Sequence, residues 1–317
     1  MAKKKGCLGL PTPVTILLAV VLLAVIVIGL LAGPIGKAFG MDGFPAWMAL
    51  AAPHPSISAE TVFTVGGFEV TNTILATWVT MVVLIVLFVI YRCKLSLVPG
   101  RFQTMLEAIM EYVYGICASI VPKEVARKFF PLVCTIFLFV GFNSWLSLIP
   151  GYGSLTFINA EGHTVELIRG AGTDLNTTLS LAVIAFVIAE VVAFKEQGLK
   201  YILKYINFSG LITAFKALFK GKIGTFFIEL ITGVVLFLTG IIEFISEVSR
   251  LISLTFRLFG NMTAGEILLA SISFLIPYLV PTIFYGLEVL VGFIQALVFS
   301  SLTMVYISLS YSSHEAE

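Results

Sequence analysis

Charge is what this chain has least of. Asp, Glu, Lys and Arg together supply 12% of its 317 residues, whereas apolar residues supply 59% and the mean hydropathy is +1.05. That scarcity excludes a soluble domain of ordinary type, because too little polar surface exists to face water, and it assigns the chain to the membrane. The charges nearly cancel, to +1, and alternate from loop to loop without forming a basic face, so no nucleic-acid partner is expected. Cysteine is scarce as well. Cys7, Cys93, Cys117 and Cys134 stand apart with no CxxC spacing, which indicates reduced packing residues and neither a metal site nor a disulfide framework. No GxxxxGK[ST] sequence occurs, so the chain is expected to carry no nucleotide chemistry and no cofactor. No internal repeat is visible, which weighs against a transporter assembled from inverted halves. The N-x-S/T matches at Asn176, Asn207 and Asn261 fall in or beside apolar segments or on the expected cytoplasmic side, and are set aside as glycosylation sites.

What the chain has instead is apolar length. Spans of about twenty residues, as a hydrocarbon core of about 30 Å requires, are read at 14–33, 73–91, 129–149 and 175–194, followed by longer segments at 226–276 and 279–311. Lysines 3 to 5 precede the first span, and Arg92, Lys94, Arg101, Lys123, Arg127 and Lys128 follow the second. Lys195, Lys200, Lys204, Lys216, Lys220 and Lys222 follow the fourth against one acid, Glu196, while loops 34–72 and 150–174 are poor in Lys and Arg. The positive-inside bias then predicts six crossings of a bacterial-type plasma membrane with both termini in the cytoplasm; the acidic tail HEAE carries little weight in that bias. The first span also fits a cleaved signal peptide loosely, with small residues near Ala32 and Gly33, although its apolar core is longer than the 7–15 residues usual for one. Between the second and third spans, Phe102, Met105, Leu106, Ile109, Met110, Val113 and Ile116 recur at helical spacing, with Glu107 and Glu111 on the wet face. This predicts an amphipathic helix along the cytoplasmic interface or packed under the bundle. The predicted fold is an all-α integral membrane protein in three regions. These are an N-terminal anchor and outer loop (1–72), spans with the amphipathic helix and a basic loop (73–222), and a long tilted helical hairpin (223–317).

The hairpin carries the chemistry. About fifty residues of helix in its first arm are more than twice the length of the hydrocarbon core, so the arm either turns or tilts strongly. Glu243, Glu247, Arg250, Arg257 and Asn261 fall within about 80° on a helical wheel, which favours one continuous helix with a polar stripe. Arg257 cannot lose its proton at any relevant pH, and a charge at membrane depth costs about 2.5–3.5 kcal/mol even on the mildest insertion scale. Ser253 lies one turn before it and Asn261 one turn after on the same face, whereas Glu266 points to the opposite side. Glu243, Glu247 and Arg250 also admit a plainer reading, a self-neutralising cluster that only stabilises the helix. On the second arm Glu288 and Gln295 are two turns apart on one face. In an antiparallel hairpin, residues at one level have position numbers of constant sum. Arg257 with Gln295 gives 552 and Glu266 with Glu288 gives 554, so both pairs predict a turn near 276 or 277, where Pro277 and Pro281 stand. Two carboxylates brought level in this way can share a proton. The costly charges fit an ion path, whether in a stator, a secondary transporter or a channel; a structural ion pair is the plain alternative.

SLTFRLFGNMTAGE (253–266), TDLNTTLSLA (173–182) and QALVFSSLTMVYISLS (295–310) together resemble subunit a of the F-type ATP synthase, over most of the chain after about residue 60. The resemblance implies a non-catalytic stator subunit with two aqueous half-channels. Its partners would be a ring of c subunits, peripheral-stalk b subunits, membrane lipid and, indirectly, the catalytic ATPase head. It implies that Arg257 faces the ring with Gln295 beside it. Asn261, Glu266 and Glu288 would line the half-channels, with Ser253 close to the arginine and Asp174 at the outer entrance. Familiar members have histidine at the position of Glu288, so the relay here would be two carboxylates. Residues 1–72 lie outside the resemblance and are expected to form a lipid-facing anchor or assembly helix.

Overall fold

The computed structural model describes residues 12–40, 58–149, 151–158, 164–198, 201, 205 and 223–312. Lysines 3 to 5, Cys7, Lys200, Lys204, Asn207, Lys216, Lys220, Lys222 and the HEAE tail, all used in the sequence reading, lie outside the described residues. The architecture is all-α, and among the described residues six helices are long and apolar enough to cross a membrane. These are α1 (Thr12–Ala32), α3 (Asn72–Cys93), α5 (Lys123–Ser147), α6 (Leu175–Gln197), α7 (Ile223–Leu275) and α8 (Leu279–Ser312); α2 (Pro34–Ala38) and α4 (Arg101–Ile120) are two further helices among the described residues. Each expected span lies within a few residues of its helix. Local chemistry sets the ends. Pro34 opens α2, where the missing N–H costs nothing. Asp174 caps α6 by accepting from the Asn176 N–H at 2.9 Å, and Gly198, at φ 63°, ends that helix in a conformation other residues adopt at a cost.

α4 is the predicted amphipathic helix, with a correction to its faces. Gln103, Leu106, Val113 and Cys117 form its buried stripe, while Met105, expected inside, is exposed. Glu107, expected on the wet face, accepts from Gln103 Nε2 at 2.8 Å and from the Tyr91 hydroxyl at 3.3 Å. Polar pairing along the stripe overrides the simple apolar count.

α7 is one continuous helix of 53 residues, about 80 Å long at 1.5 Å per residue. The chain reverses at 276–278, where the constant-sum argument placed the turn. Pro277 follows the last turn of α7, and Tyr278 takes φ 79°, a left-handed conformation rare for a residue with a side chain.

The chain forms two compact units. The first comprises Met1–Ala76, Asn143–Thr173 and Gly260–Ile294. It holds two antiparallel hairpins, β1 (Thr61–Val65) with β2 (Phe68–Thr71) and β3 (Thr156–Ile158) with β4 (Thr164–Glu166). Small residues let backbones meet: a methyl group on Gly29 or Gly33 would lie 2.5 Å from the carbonyl oxygen of Pro277 or Leu275, respectively. The later part of α1 is thus fitted to the α7–α8 turn, while Ile16, Leu17, Val20, Val21 and Leu23 earlier in it are exposed as an anchor in lipid would be. The second unit comprises Thr77–Phe142, Asp174–Phe259 and Gln295–Glu317. Its core includes Val133 and Phe137 of α5, the stripe Ala182, Ala185, Ala189 and Ala193 of α6, and Phe299, Met304 and Ile307 of α8. Alanines at helical spacing allow the close approach that packing in lipid needs.

Candidate functional site

In the first unit, Met262, Glu266, Leu269 and Ser273 recur at helical spacing and turn one face of α7 toward a cavity of about 230 Å³. Tyr285 and Glu288 of α8, Ser144 and Ser147 of α5, and Tyr152, Glu166 and Arg169 of the 148–173 segment complete its wall. The volume holds several water molecules, and the wall is polar enough to bind them.

Arg169 organises this wall. Its side chain is buried, with the whole residue 5% exposed. Its Nε donates to both Glu266 oxygens, at 3.0 and 3.3 Å, and its Nη2 donates to Oε2 at 3.3 Å. Nη1 donates to the Ser58 carbonyl at 3.5 Å. A buried guanidinium demands such a carboxylate, since an uncompensated buried charge is strongly destabilising. Glu288 is 9% exposed and lies against Gly265, where a β-carbon would overlap its carboxyl group. Glu266 and Glu288 therefore border one cavity, and the contact of Glu288 with Gly265 agrees with the common level that the constant sum gives them. The nearest charged group bonded to Glu266 is nevertheless a guanidinium and not the second carboxylate.

Glu166 ends β4, with its backbone carbonyl accepting from Asn72 Nδ2 at 3.3 Å. Its carboxylate is exposed, makes no hydrogen bond or ion pair among the described residues, and rests over Gly153. Partial desolvation, reinforced by the negative charge of Glu266 and opposed by Arg169, raises its pKa above the ordinary glutamate value. Burial likewise pushes the Tyr152 phenol up to about 12, and its hydroxyl has no hydrogen-bond partner among the described residues.

Asn261 is half-buried in the same unit. Arg257, Ser253, Gln295 and Asp174 belong to the second unit. Arg257 and Ser253 are exposed, and among the described residues Arg257 makes neither a hydrogen bond nor an ion pair. Its exposed neighbours in sequence, Ile252, Ser253 and Phe256, carry no charge to pair with a guanidinium. Gln295 is 6% exposed, and its Nε2 has no hydrogen-bond partner among the described residues. Asp174 is 8% exposed and occupied as the cap of α6.

The polar stripe before Arg257 is partly self-neutralising, as the plainer reading expected. Glu247 accepts from Arg250 Nη1 at 2.9 Å, and the Arg250 guanidinium lies 5.7 Å from the centre of the Tyr306 ring. Glu190 of α6 accepts from the Tyr201 hydroxyl at 2.8 Å and lines the same small cavity as Glu247 and Arg250.

Sequence reasoning missed Arg169, Glu166 and Glu190. Glu190 carried a usable signal, an acid inside an otherwise apolar span. Arg169 sits in a loop and Glu166 at the end of a short strand outside the spans, where charge is ordinary, and only their position five and eight residues before Asp174 marked them.

The sequence model of the family described as ATP synthase A chain matches residues 74–308. The chain is 34% identical over 248 residues to ATP synthase subunit a of Gloeobacter violaceus, covering 77% of this chain and 85% of the relative. It is 32% identical over 231 residues to that of Geotalea daltonii, covering 73% and 83%. With that of Moorella thermoacetica it shares 30% identity over 247 residues, covering 78% and 94%.

Proposed function

The chain belongs to the ATP synthase A chain family, a multi-pass membrane subunit serving proton transport in ATP synthesis, and we propose that it is the stator of the proton motor. Protons enter one aqueous half-channel, neutralise a carboxylate on a ring of c subunits, and leave by a second half-channel after the ring has turned. Arg257 stands between the paths. Its permanent charge favours deprotonation of an approaching ring acid and interrupts any direct proton wire. Each proton crossing releases about 2.3 kcal/mol per 100 mV.

One observation carries this reading: Arg257 is exposed on the polar stripe of α7 and makes no hydrogen bond or ion pair among the described residues. A structural arginine would be paired within the chain, as Arg169 and Arg250 are. An arginine whose carboxylate arrives on another subunit would be left free. Gln295, with its own unsatisfied donor, is the expected neighbour of Arg257 on the second arm. Glu266, Glu288 and Asn261 belong to the half-channel walls, Ser253 lies beside the arginine, and Asp174 serves the outer entrance. In this reading α7 runs obliquely through the bilayer, since its length exceeds an upright crossing. Peripheral-stalk b subunits hold the chain against rotation, and both termini face the cytoplasm.

Purification from detergent-solubilised membranes tests the assignment. The stator copurifies with a ring of small hairpin subunits and the catalytic head, and the complex makes ATP in proton-loaded vesicles. A chain purified intact and alone, conducting ions without the ring, would be a channel instead.

A further inference from the structure

The cavity of the first unit presents three carboxylates, Glu166, Glu266 and Glu288, and one guanidinium, Arg169. These four groups are not equivalent. Glu266 has both oxygens engaged by Arg169, which fixes its carboxylate against the wall. Glu288 and Glu166 have no hydrogen bond or ion pair among the described residues. Glu166 is open to solvent, and Glu288 is buried. The same wall carries Tyr285 and Tyr152, whose hydroxyl has no hydrogen-bond partner among the described residues.

Resting on the half-channel reading above, we propose that Glu166 and Arg169, both from the loop before α6, are working parts of the proton path. Glu166 is the proton-exchanging acid at the cavity mouth. Arg169 is a positioning residue that clamps the Glu266 carboxylate to the wall. A proton taken from water by the Glu166 carboxylate passes through cavity water to the Glu288 carboxylate, and Glu166 is left ionised to accept the next. Arg169 keeps the Glu266 carboxylate from swinging into the passage as a second trap, and the wall keeps two net negative charges when all three carboxylates are ionised, which draws protons inward.

The surroundings suit an exchanging acid. The titratable and charged groups that share the cavity wall with Glu166 are Arg169 in the loop after β4, Glu266 on α7, Glu288 and Tyr285 on α8, and Tyr152 on the preceding turn. Desolvation and the charge of Glu266 raise its pKa, which brings its titration closer to neutral pH than an ordinary glutamate's. The bond from Asn72 to its backbone carbonyl and the close fit over Gly153 fix Glu166 as an exposed part of the cavity wall. A purely solvating loop acid would need neither.

The experiment is passive proton conductance of vesicles carrying the whole membrane complex, stripped of its catalytic head, measured against pH and normalised to assembled complex. Glu166→Gln lowers conductance roughly tenfold near neutral pH and flattens its pH profile. Arg169→Gln lowers it by a similar factor and displaces the profile, while Arg169→Lys recovers part of the loss because charge remains but the two-pronged geometry does not. The double variant Arg169→Gln with Glu266→Gln restores the parental profile shape, since the freed trap is gone. An unchanged profile in both Glu166→Gln and Arg169→Gln, with Arg169→Gln merely reducing the amount of complex, would overturn the proposal and leave Arg169 a structural clamp. Glu288→Leu in the same vesicles separates the two levels. If it lowers conductance while the loop variants do not, the half-channel reading stands and this inference fails; if it too conducts as the parent does, the half-channel reading itself fails.

Discussion

The carboxyl group of Glu288 lies against the backbone of Gly265, one residue before the glutamate that Arg169 clamps. Any side chain at position 265 would occupy the space of that carboxyl. Gly265→Ala is therefore expected to displace Glu288 and to cost about 1–3 kcal/mol of stability through overpacking. Thermal unfolding of the purified complex measures the second effect and proton conductance the first. Parental values in both would show that the contact is loose.

Arg257 is expected to be essential for coupling but not for folding, because it has no partner among the described residues to lose. Arg257→Ala and Arg257→Gln should abolish proton-driven ATP synthesis while the complex assembles in normal amount. Arg257→Lys should fail nearly as completely, since an ammonium lacks the planar fork and carries a titratable charge. Substantial ATP synthesis by the alanine variant in vesicles would remove the arginine from the mechanism.

Replacing Glu288 distinguishes a relay group from a tolerated buried acid. Glu288→His should retain part of the proton flux, because imidazole also exchanges protons near neutral pH. Glu288→Leu should slow flux far more, about a hundredfold if the group acts as an acid and base in turn. The comparison is made across pH after removal of the catalytic head. Equal conductance of the leucine variant and the parent at every pH would contradict the role.

Asp174 has two candidate roles that one pair of variants separates. Asn caps a helix about as well as Asp, so Asp174→Asn should leave stability within about 0.5 kcal/mol of the parent, whereas Asp174→Ala should lose about 1 kcal/mol. A carboxylate that serves the outer entrance is lost in both variants. ATP-driven proton pumping should therefore fall in both, and normal pumping by Asp174→Asn would reduce Asp174 to a cap.

Fitting α1 to the α7–α8 turn through Gly29 and Gly33 gives the first span a role that its apolar composition did not announce. Gly33→Leu is expected to separate the two and lower the thermal stability of the complex, by about 1–3 kcal/mol if the helix adjusts partially. Unaltered stability would return α1 to the status of a simple lipid anchor.

How much of this was legible beforehand follows from the range of each interaction. Helix lengths, the turn at 276–278 and the level of Glu266 with Glu288 were readable, because a helix has a fixed rise and an antiparallel hairpin a fixed sum. The cost of charge in hydrocarbon singled out Arg257 and Glu288 for the same reason: it depends on the residue and its span alone. The partner of Glu266 was not legible. Arg169 is 97 positions away, in a loop where arginine is unremarkable, and only the folded chain brings it within 3.0 Å of that carboxylate. Sequence offered the pairing of Arg250 with its neighbouring acids only as one of two readings; the folded chain pairs Arg250 with Glu247 and lays it beside Tyr306, while Arg257 is exposed and free of such partners among the described residues. Both stand on one polar stripe of one helix. Sequence by itself determined which groups are costly and at what height along the hairpin they stand; tertiary structure decided which of those costs are offset within the chain, because pairing depends on contacts between distant segments.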